Sequence, residues 1–330
     1  MEQQYIGVDL HKATFQACAI SATGTRLWEA PFPRTAEGIA AFAERGIAQA
    51  CVAVEATGPT WAFVDAVQAF GASVCVVDTR KTKLKAGFAA KTDRRDARRL
   101  ADALRRESVV SLYIPPPAIR ELRELCRGRQ HLVRVRSKRI QSIRALLLRQ
   151  DVAGPPMTQL TSARGLAWLE TVALPGSAGE TLRRYSRLLR AVQAECLAVQ
   201  QRVVTAAGAD PIAVALTTLV GVGPVLSLTR RAEIGTITRF PHGRFLASYA
   251  GLVSEVTASA NRVRDGAITR AGSPWLRWAL VEVAVHAVKR RDRVGRWARR
   301  LAVRKNIQTA RVALARRLCD EIVRVWRPLE

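Results

Sequence analysis

Four acidic side chains occupy positions where their carboxylates could act together. Asp9 ends the apolar segment YIGVD, and Glu55 ends the apolar segment ACVAVE, so each follows a predicted buried strand. Asp93 and Asp96 lie three residues apart in KTDRRDARRLADAL, whose spacing predicts a helix with both aspartates on one face. If the two strands are neighbours, their ends converge and the helix can lay its acidic face across them.

Carboxylates gathered in this way would repel one another, so ionising all of them together is costly. A divalent cation relieves the repulsion, and hard oxygen ligands suit Mg²⁺, with Mn²⁺ as a substitute. Two such ions about 4 Å apart can hold the attacking and leaving oxygens during phosphoryl transfer. The predicted metal ligands, which would also be catalytic, are Asp9, Glu55, Asp93 and Asp96. Asp78 and Asp102 are alternative ligands, and Asp102 is the weaker one because it lies further along the helix.

A simpler interpretation of this helix is that its aspartates pair with neighbouring arginines on a solvated surface. The arginines within reach are Arg94, Arg98 and Arg99. For Asp93 and Asp96 alone, that interpretation would be favoured. The matching positions of Asp9 and Glu55 at strand ends favour the metal site, and the arginines would then face phosphate groups.

An α/β domain is predicted to position these side chains. The chain has 330 residues, of which 48 % are apolar, so it can bury more than one core. Residues 4–20 are predicted to form two strands joined by a turn, and residues 25–30 a third strand. Further helices are predicted at 35–46, 60–71 and 93–106, and further strands at 50–58 and 72–78. An antiparallel meander followed by alternating strands and helices predicts an α/β domain that ends near residue 112, before a run of prolines.

The rest of the chain is predicted to be mostly helical. One long helix over 118–149 carries ten basic residues, and a second covers 180–207. The two could pair as an antiparallel or as an intermolecular coiled coil. A G-x-G turn in 217–235 resembles a helix–hairpin–helix, which can present backbone N–H groups to phosphate, although two helix-ending glycines explain it equally well. The predicted domains are 1–112, 113–207 and 208–330.

Charge is distributed unevenly along the chain, whose net charge is +26. Residues 1–110 carry 15 basic and 12 acidic side chains, whereas residues 111–330 carry 38 and 15. The basic residues are densest in 118–149 and 289–327. Such an excess predicts binding of a polyanion, most simply nucleic acid. The alternative is a basic protein whose arginine faces are only solvated.

Cysteine usage and hydropathy exclude several other classes. The six cysteines are scattered, and neither a C-x-x-C pair nor a Cys/His cluster occurs, so no zinc site or disulfide framework is expected. No apolar run reaches about 18 residues, and no export signal pattern is found. A cytoplasmic, nucleoid-associated location without a membrane partner is therefore expected.

Six blocks of the sequence resemble one known family, in the same order. They are YIGVD, VEATG, KTDRRDA, LVGVGPVLSLTRRAEIG, RFLASYAGLV and GAITRAGSPWLRWAL. They resemble the DEDD transposases of the insertion-sequence one-ten (IS one-ten) family, the bridge-RNA-guided recombinases, nearly from end to end. The resemblance implies an α/β RNase H-like (RuvC-like) N-terminal domain and a mostly α-helical C-terminal part with long coiled-coil-like helices.

The resemblance also implies site residues in both parts of the chain. The family's D-E-D-D positions match Asp9, Glu55, Asp93 and Asp96. In GLVSEVTASANRVRDGAITRAG, the serine in register with the family's nucleophile is Ser259. The match departs from the family pattern where Ser254 replaces a proline, where Ala260 replaces a glycine, and where G-N-x-x-L-R reads GSPWLR. Ser254 and Thr257 are therefore alternative nucleophiles.

The implied activity is Mg²⁺-dependent strand cleavage and exchange during excision and insertion of an insertion sequence. Ser259 would attack a DNA phosphodiester and hold it as a phosphoserine until a freed 3′-hydroxyl attacks in turn. The implied partners are donor and target DNA, a structured non-coding guide RNA, and further copies of the chain in a dimer or tetramer. Base pairing with the RNA would select the sequence, while the protein binds the backbone.

Three other functions account for parts of the pattern. A Holliday-junction resolvase-like nuclease would use the four carboxylates and water, without a covalent intermediate. Sugar-kinase-like ATPases also begin with a strand that contains G-V-D. The excess of arginine and the lack of a second phosphate-binding G-x-G at a matching place disfavour this function. An inactive transposase that only binds nucleic acid is disfavoured by the complete D-E-D-D set.

Overall fold

The computed structural model describes residues 3–79, 81–82, 92–156, 158–259 and 262–330. Contacts divide the chain into two compact units, Met1–Ile114 and Pro115–Glu330. The boundary between the units falls at the run of prolines that follows the α/β pattern. The division into three domains at residues 112 and 207 stays a prediction.

A five-stranded mixed sheet forms the centre of the N-terminal unit. Its strands are β1 (Tyr5–Leu10), β2 (Thr14–Ile20), β3 (Arg26–Pro33), β4 (Cys51–Glu55) and β5 (Ser73–Val77), in the spatial order β3-β2-β1-β4-β5. The first three strands form an antiparallel meander, and β4 and β5 continue the sheet in parallel with β1. Its helices are α1 (Ala36–Ala43), α2 (Thr60–Gln68) and α3 (Asp93–Arg105). The predicted α/β fold class, consistent with a RuvC-like domain, is confirmed.

The two faces of this sheet pack against different helices. On one face, the rings of Phe15, Phe32, Phe42 and Phe63 join the strands to α1 and α2. The ring centroids of Phe15 and Phe32 lie 5.3 Å apart. Such ring pairs each contribute about 0.5–1.5 kcal/mol beyond their burial. The opposite face is covered by α3, through small apolar side chains on both sides of the contact.

The close approach of α3 to the sheet depends on a glycine in the central strand. A Cβ built on Gly7 would lie 2.0 Å from the carbonyl oxygen of Ala97 and 2.4 Å from the backbone nitrogen of Ala101. Real Cβ atoms do not approach other atoms so closely. Glycine at position 7 therefore lets the backbone of α3 lie directly on β1.

The second unit is largely helical. Its helices are α4 (Pro117–Arg149), α5 (Ala163–Thr171), α6 (Gly176–Ala209), α7 (Pro211–Leu216), α8 (Pro224–Ile234), α9 (Gly243–Tyr249), α10 (Pro274–Ala287), α11 (Arg293–Arg304) and α12 (Ile307–Trp326), with a 3₁₀ turn at Arg327–Leu329. One antiparallel hairpin of two strands, β6 (Ser254–Ser259) and β7 (Arg262–Ile268), follows α9. The mostly helical C-terminal part is confirmed, whereas the hairpin was not predicted.

The two long helices, α4 and α6, pack against each other within one chain. Arg129 donates to Gln200 at 2.7 Å, and Arg136 donates to Gln193 at 3.1 Å. As the partner in α4 moves forward along the chain, the partner in α6 moves backward, so the pair is antiparallel. Of the two arrangements that the sequence left open, the described residues form the intramolecular one.

A buried carboxylate ties α4 to the helices around the hairpin. Glu233 at the end of α8 is 1 % exposed and accepts two hydrogen bonds from Arg127, at 2.8 and 3.0 Å. Ser273, the N-cap of α10, donates a third hydrogen bond to it at 2.8 Å. These bonds hold α4, α8 and the start of α10 in one arrangement.

Among the described residues, the structure contains no helix that is both long and apolar enough to cross a membrane.

Candidate active site

Two neighbouring parallel strands carry the first two carboxylates. Val8 of β1 pairs with Val54 of β4, so Asp9 and Glu55 follow at the same edge of the sheet. Side chains two residues apart on a strand share a face, so Asp9 lies on the face of Gly7, the face that α3 covers. The strands thus bring Asp9 and Glu55 to one edge of the sheet, on the face that α3 covers.

The first turn of α3 carries the other two carboxylates. Thr92 caps the helix, and its side chain accepts a hydrogen bond from the backbone N–H of Arg95 at 3.4 Å. Asp93 and Asp96 follow in the first turn. The positive end of the helix dipole favours negative charge at this place. Because Ala97 sits on Gly7, the turn that precedes it is brought to the carboxyl end of β1.

The closest group in this site joins Asp9 and Asp93 through a histidine. The Nε2 atom of His11 lies 3.4 Å from Oδ2 of Asp9 and 3.2 Å from Oδ2 of Asp93. One potential ligand atom from each of the three residues lies within 4.8 Å of the others. Among the described residues, this is the one group of three or more acidic, histidine or cysteine side chains gathered so tightly. Its donor atoms are oxygen and imidazole nitrogen, which suit a divalent cation.

Glu55 and Asp96 lie near this group but hold other partners. Oε1 of Glu55 accepts a hydrogen bond from the hydroxyl of Thr79 at 2.9 Å. Oδ1 of Asp96 accepts one from Nη1 of Arg99 at 3.2 Å. The simpler interpretation, in which α3 aspartates pair with helix arginines, therefore describes one contact of Asp96, while Asp93 contacts the histidine.

The pKa of Asp9 reports the electrostatic consequence of this gathering. Burial of the carboxyl raises its pKa above the ordinary value of 3.8. His11 opposes the shift, whereas the negative charges of Asp93, Asp96 and Glu55 add to it. Asp9 thus interacts electrostatically with each of the other three predicted carboxylates.

The two alternative ligands predicted from the sequence have cationic partners. Asp102 accepts a hydrogen bond from Arg105 at 2.8 Å and forms an ion pair with Arg106 at 2.9 Å. Asp78 lies 3.8 Å from the ammonium group of Lys81. Neither belongs to the tight group around His11.

The predicted nucleophile lies in the hairpin of the second unit. Ser259 is the last residue of β6, where its backbone pairs with Arg262. The side chains of Ser259 and of the alternative Thr257 lie outside the described residues. Ser254, the other alternative, begins β6, is partly buried, and lines a cavity of about 460 Å³ together with Arg244, Arg316 and Arg317.

His11 is the site residue that sequence reasoning missed. It follows Asp9 by two residues, in the turn of the β1–β2 hairpin, where its backbone N–H donates to the carbonyl of Thr14 at 2.9 Å. The available signal was the D-x-H spacing at the end of a strand. That signal is weak, because a histidine in a surface turn is more often simply solvated.

Comparison with known proteins connects this geometry to a family. Residues 6–150, which include all four carboxylates, match the DEDD transposase model of IS110, described as a transposase. Residues 213–300, which include the hairpin, match a second model, described as transposase IS116/IS110/IS902 family. Together the two matches cover more than two thirds of the chain.

Curated relatives agree with both matches. The transposase for insertion sequence element IS1111A of Coxiella burnetii is 26 % identical over 326 residues, covering 94 % of this chain and 86 % of the relative. A Pseudomonas aeruginosa protein named "Probable family 20 transposase" is 27 % identical over 235 residues, covering 68 % of this chain and 69 % of the relative. With its DEDD region and its C-terminal region both matched, the chain belongs to the IS110 family of DEDD transposases.

Proposed function

We propose that this transposase cleaves and rejoins DNA strands by metal-dependent phosphoryl transfer, and so excises and inserts an insertion sequence. The observation that carries the proposal is the meeting of Asp9 and Asp93 at one histidine nitrogen, at 3.4 and 3.2 Å. Carboxylates from a strand end and a helix start meet there in the part of the chain that matches a DEDD transposase model.

The residues present fit a divalent cation. Asp9, Glu55, Asp93 and Asp96 offer hard oxygen ligands that suit Mg²⁺ or Mn²⁺, and His11 adds a nitrogen. The raised pKa of Asp9 supports this assignment, because a cation would relieve the repulsion that contributes to it. When bound, such an ion supplies positive charge to the phosphate oxygens of the transition state. Arg99, hydrogen-bonded to Asp96, would hold that carboxylate in orientation.

The proposed nucleophile is the hydroxyl of Ser259. Its oxygen forms a bond to phosphorus while the bond from phosphorus to the 3′-oxygen breaks, and the serine proton ends on that 3′-oxygen. The 3′-hydroxyl of another strand then attacks the phosphoserine, which restores the serine and rejoins DNA. The proposal has support from the C-terminal family match and from the position of the residue at the hairpin end.

The proposed partners are donor and target DNA, a structured non-coding guide RNA and further copies of the chain. The basic excess of residues 111–330 supports binding of nucleic acid through phosphates. The guide RNA and the oligomer are proposed from the family resemblance of the sequence. In that family, base pairing with the RNA selects the site and the protein holds the backbone.

Strand cleavage by a matched pair of variants tests the proposal. Asp93→Asn and Asp65→Asn remove the same charge from a helix of the same unit, but Asp65 is exposed on α2 and only Asp93 belongs to the group at His11. On DNA that carries an element junction, with Mg²⁺ present, Asp93→Asn should lose cleavage and Asp65→Asn should keep it. Equal loss in both would assign the effect to the lost charge alone and contradict the proposed site. Cleavage by water without a protein–DNA adduct would instead support the resolvase-like nuclease.

A further inference from the structure

A second feature of α3 lies beyond its acidic first turn. A cavity of about 450 Å³ runs along the helix and is closed on the other side by the turn between β2 and β3. Its lining side chains are Thr23 and Gly24 of that turn with Arg95, Arg98, Arg99, Asp102, Arg105 and Arg106 of the helix. We name this feature the arginine groove.

Helical spacing places the arginines of the groove in one row. Arg95, Arg98 and Arg99 repeat at intervals of three and four residues, and the row continues at Arg105 and Arg106, so they share a face. The opposite face of α3, with Ala97 and Ala101, is buried against the sheet. Five guanidinium groups line the groove, against one carboxylate of the same cavity. The groove is therefore strongly positive within a unit whose overall charge is nearly balanced.

One arginine of the groove is built into its wall. Arg105 is 22 % exposed, donates to Asp102 at 2.8 Å and donates to the carbonyl of Ala22 at 3.4 Å. Gly24 has a φ of +89°, and a Cβ built on it would lie 3.4 Å from Nε of Arg105. That Nε is buried and has no hydrogen-bond partner among the described residues. Because its Nε is enclosed and its terminal nitrogens are held on two sides, this guanidinium is fixed in place, and its remaining terminal N–H groups can meet an anionic acceptor without reorganisation.

The groove begins where the candidate active site ends. Nη1 of Arg99 bonds to Oδ1 of Asp96 at 3.2 Å, and Asp96 contributes to the raised pKa of Asp9. From Asp96 to Arg106 the helix advances about 15 Å. A strand that lies along the groove would therefore reach the carboxylates at one end.

We propose that the arginine groove binds the phosphodiester backbone of a single nucleic-acid strand and leads it to the carboxylates. This assignment deepens the proposed function and rests on it for the direction of the strand. Guanidinium groups match phosphate oxygens through paired hydrogen bonds and read no base, so the groove accepts any sequence. In this arrangement, the arginines of α3 would bind the strand, and Asp93 and Asp96 of the same helix would hold the cation. This accounts for the presence of both positive and negative side chains on one helix.

Charge reversal at an exposed arginine of the groove tests the assignment. Arg98→Glu reverses one charge in the groove, and Arg45→Glu reverses one exposed charge beyond the end of α1, on the other side of the sheet. Binding of a single-stranded DNA, an RNA of the same sequence and a DNA duplex is measured on the full chain in chelator, over a series of salt concentrations. Arg98→Glu should weaken single-strand binding and lower its salt slope by about 0.7 for each lost phosphate contact, while Arg45→Glu changes neither.

The arms of this experiment separate the possible sources of the strand. A loss with DNA alone assigns the groove to a DNA strand, and a loss with RNA alone assigns it to the RNA. A loss confined to the duplex, or equal losses in Arg98→Glu and Arg45→Glu, would overturn the assignment. Cleavage is scored separately with Mg²⁺, so a wild-type chain that never cuts contradicts the proposed function and leaves the binding result intact.

A second measurement guards against binding elsewhere on this basic chain. A photo-crosslinking amino acid in place of Thr23, which is exposed and lines the groove, should attach to the bound strand. Arg98→Glu in the same chain should reduce the yield of attachment several-fold. Attachment that is absent, or that Arg98→Glu leaves unchanged, would count against a strand in the groove.

Discussion

Gly7 of β1 and Ala97 of α3 meet so closely that a methyl group on the glycine would lie 2.0 Å from the alanine carbonyl oxygen. Ala97 follows Asp93 by four residues, about one helical turn, and Gly7 precedes Asp9 by two residues on the same strand face. The contact between two small residues therefore sets the distance between two carboxylates. The packing of α3 on β1 thus affects how the carboxylates of Asp9 and Asp93 can act together.

Substitution of Gly7 tests that relationship. Gly7→Ala should lower the free energy of unfolding by about 1–3 kcal/mol, since α3 must move to admit the methyl group. It should also reduce affinity for Mn²⁺, because the movement carries Asp93 away from Asp9. Gly58→Ala is the control, as nothing lies within 4 Å of a Cβ at that position. Urea denaturation and Mn²⁺ titration of both variants provide the comparison, and a Gly7→Ala chain that matches Gly58→Ala in both would refute the role of the contact.

Replacement of His11 tests whether its imidazole belongs to the metal site. His11→Gln should weaken Mn²⁺ binding by roughly tenfold or more, as loss of a group that ligates or orients a ligand commonly does. His131→Gln is the matched control, since His131 is exposed on α4. Isothermal titration with Mn²⁺ measures both affinities. Unchanged affinity in His11→Gln would remove the histidine from the site and leave the carboxylates to be tested alone.

Stability without metal should depend on pH in opposite ways at two aspartates. The folded-state pKa of Asp9 is raised, so its contribution is fully present below the unfolded pKa and is lost as pH rises through the folded pKa. For Asp102, burial raises the pKa, but hydrogen bonds from Arg105 and Arg106 outweigh it and lower the pKa overall. Its contribution is therefore present above the unfolded pKa and is lost as pH falls through the folded pKa.

The opposite directions of these two pKa shifts predict how two isosteric variants behave in the presence of a chelator. Relative to wild type, Asp9→Asn should gain thermal stability as pH rises from about 4 towards 7, the range above the ordinary aspartate pKa. Asp102→Asn should be less stable than wild type throughout this range, and that deficit should shrink only as pH falls below about 4, because the folded-state pKa of Asp102 is lowered. Thermal unfolding at a series of pH values measures both. Asp9→Asn less stable than wild type at neutral pH, or a difference that does not vary with pH, would contradict the electrostatic account of the site.

The ion pair between the partly exposed Arg127 and the buried Glu233 should contribute more than a surface pair. Arg127→Met leaves the carboxylate of Glu233 buried without its cation, which should cost about 3–5 kcal/mol of unfolding free energy. Arg184→Met breaks an exposed pair with Glu180 at 3.6 Å and should cost about 1 kcal/mol or less. The double variant Arg127→Met/Glu233→Gln should recover part of the loss. Chemical denaturation measures the free energy of unfolding of each variant. Equal losses for the two single variants would show that Glu233 is not held as the geometry implies.

Much of the candidate site could be predicted from the sequence, because its carboxylates end apolar strands or share one helix face. Asp9 and Glu55 follow runs of strand-forming residues, and the spacing of Asp93 and Asp96 is local to one helix. His11 could not be assigned in the same way. Its position depends on the turn to Thr14 and on a helix that is distant in sequence.

The second unit was less predictable for a related reason. The lengths of α4 and α6 follow from their composition, but neither keeps a strict heptad, so their relative direction could not be read from the pattern. It is set by specific partners such as Arg136 with Gln193. The hairpin of β6 and β7 was missed because its short alternating strands lie between helices of stronger periodicity.

Covalent capture of DNA by the protein is the most direct test of the proposed function, in which cleavage of a phosphodiester needs both the carboxylates and the hydroxyl of Ser259. Reactions of wild type, Asp93→Asn and Ser259→Ala on junction DNA are stopped in denaturant, and the attached peptide is identified by mass. We predict an adduct on Ser259 in wild type with Mg²⁺, and none in chelator, in Asp93→Asn or in Ser259→Ala. An adduct on Ser254 or Thr257 would relocate the nucleophile, whereas an adduct that forms undiminished in Asp93→Asn would contradict the claim.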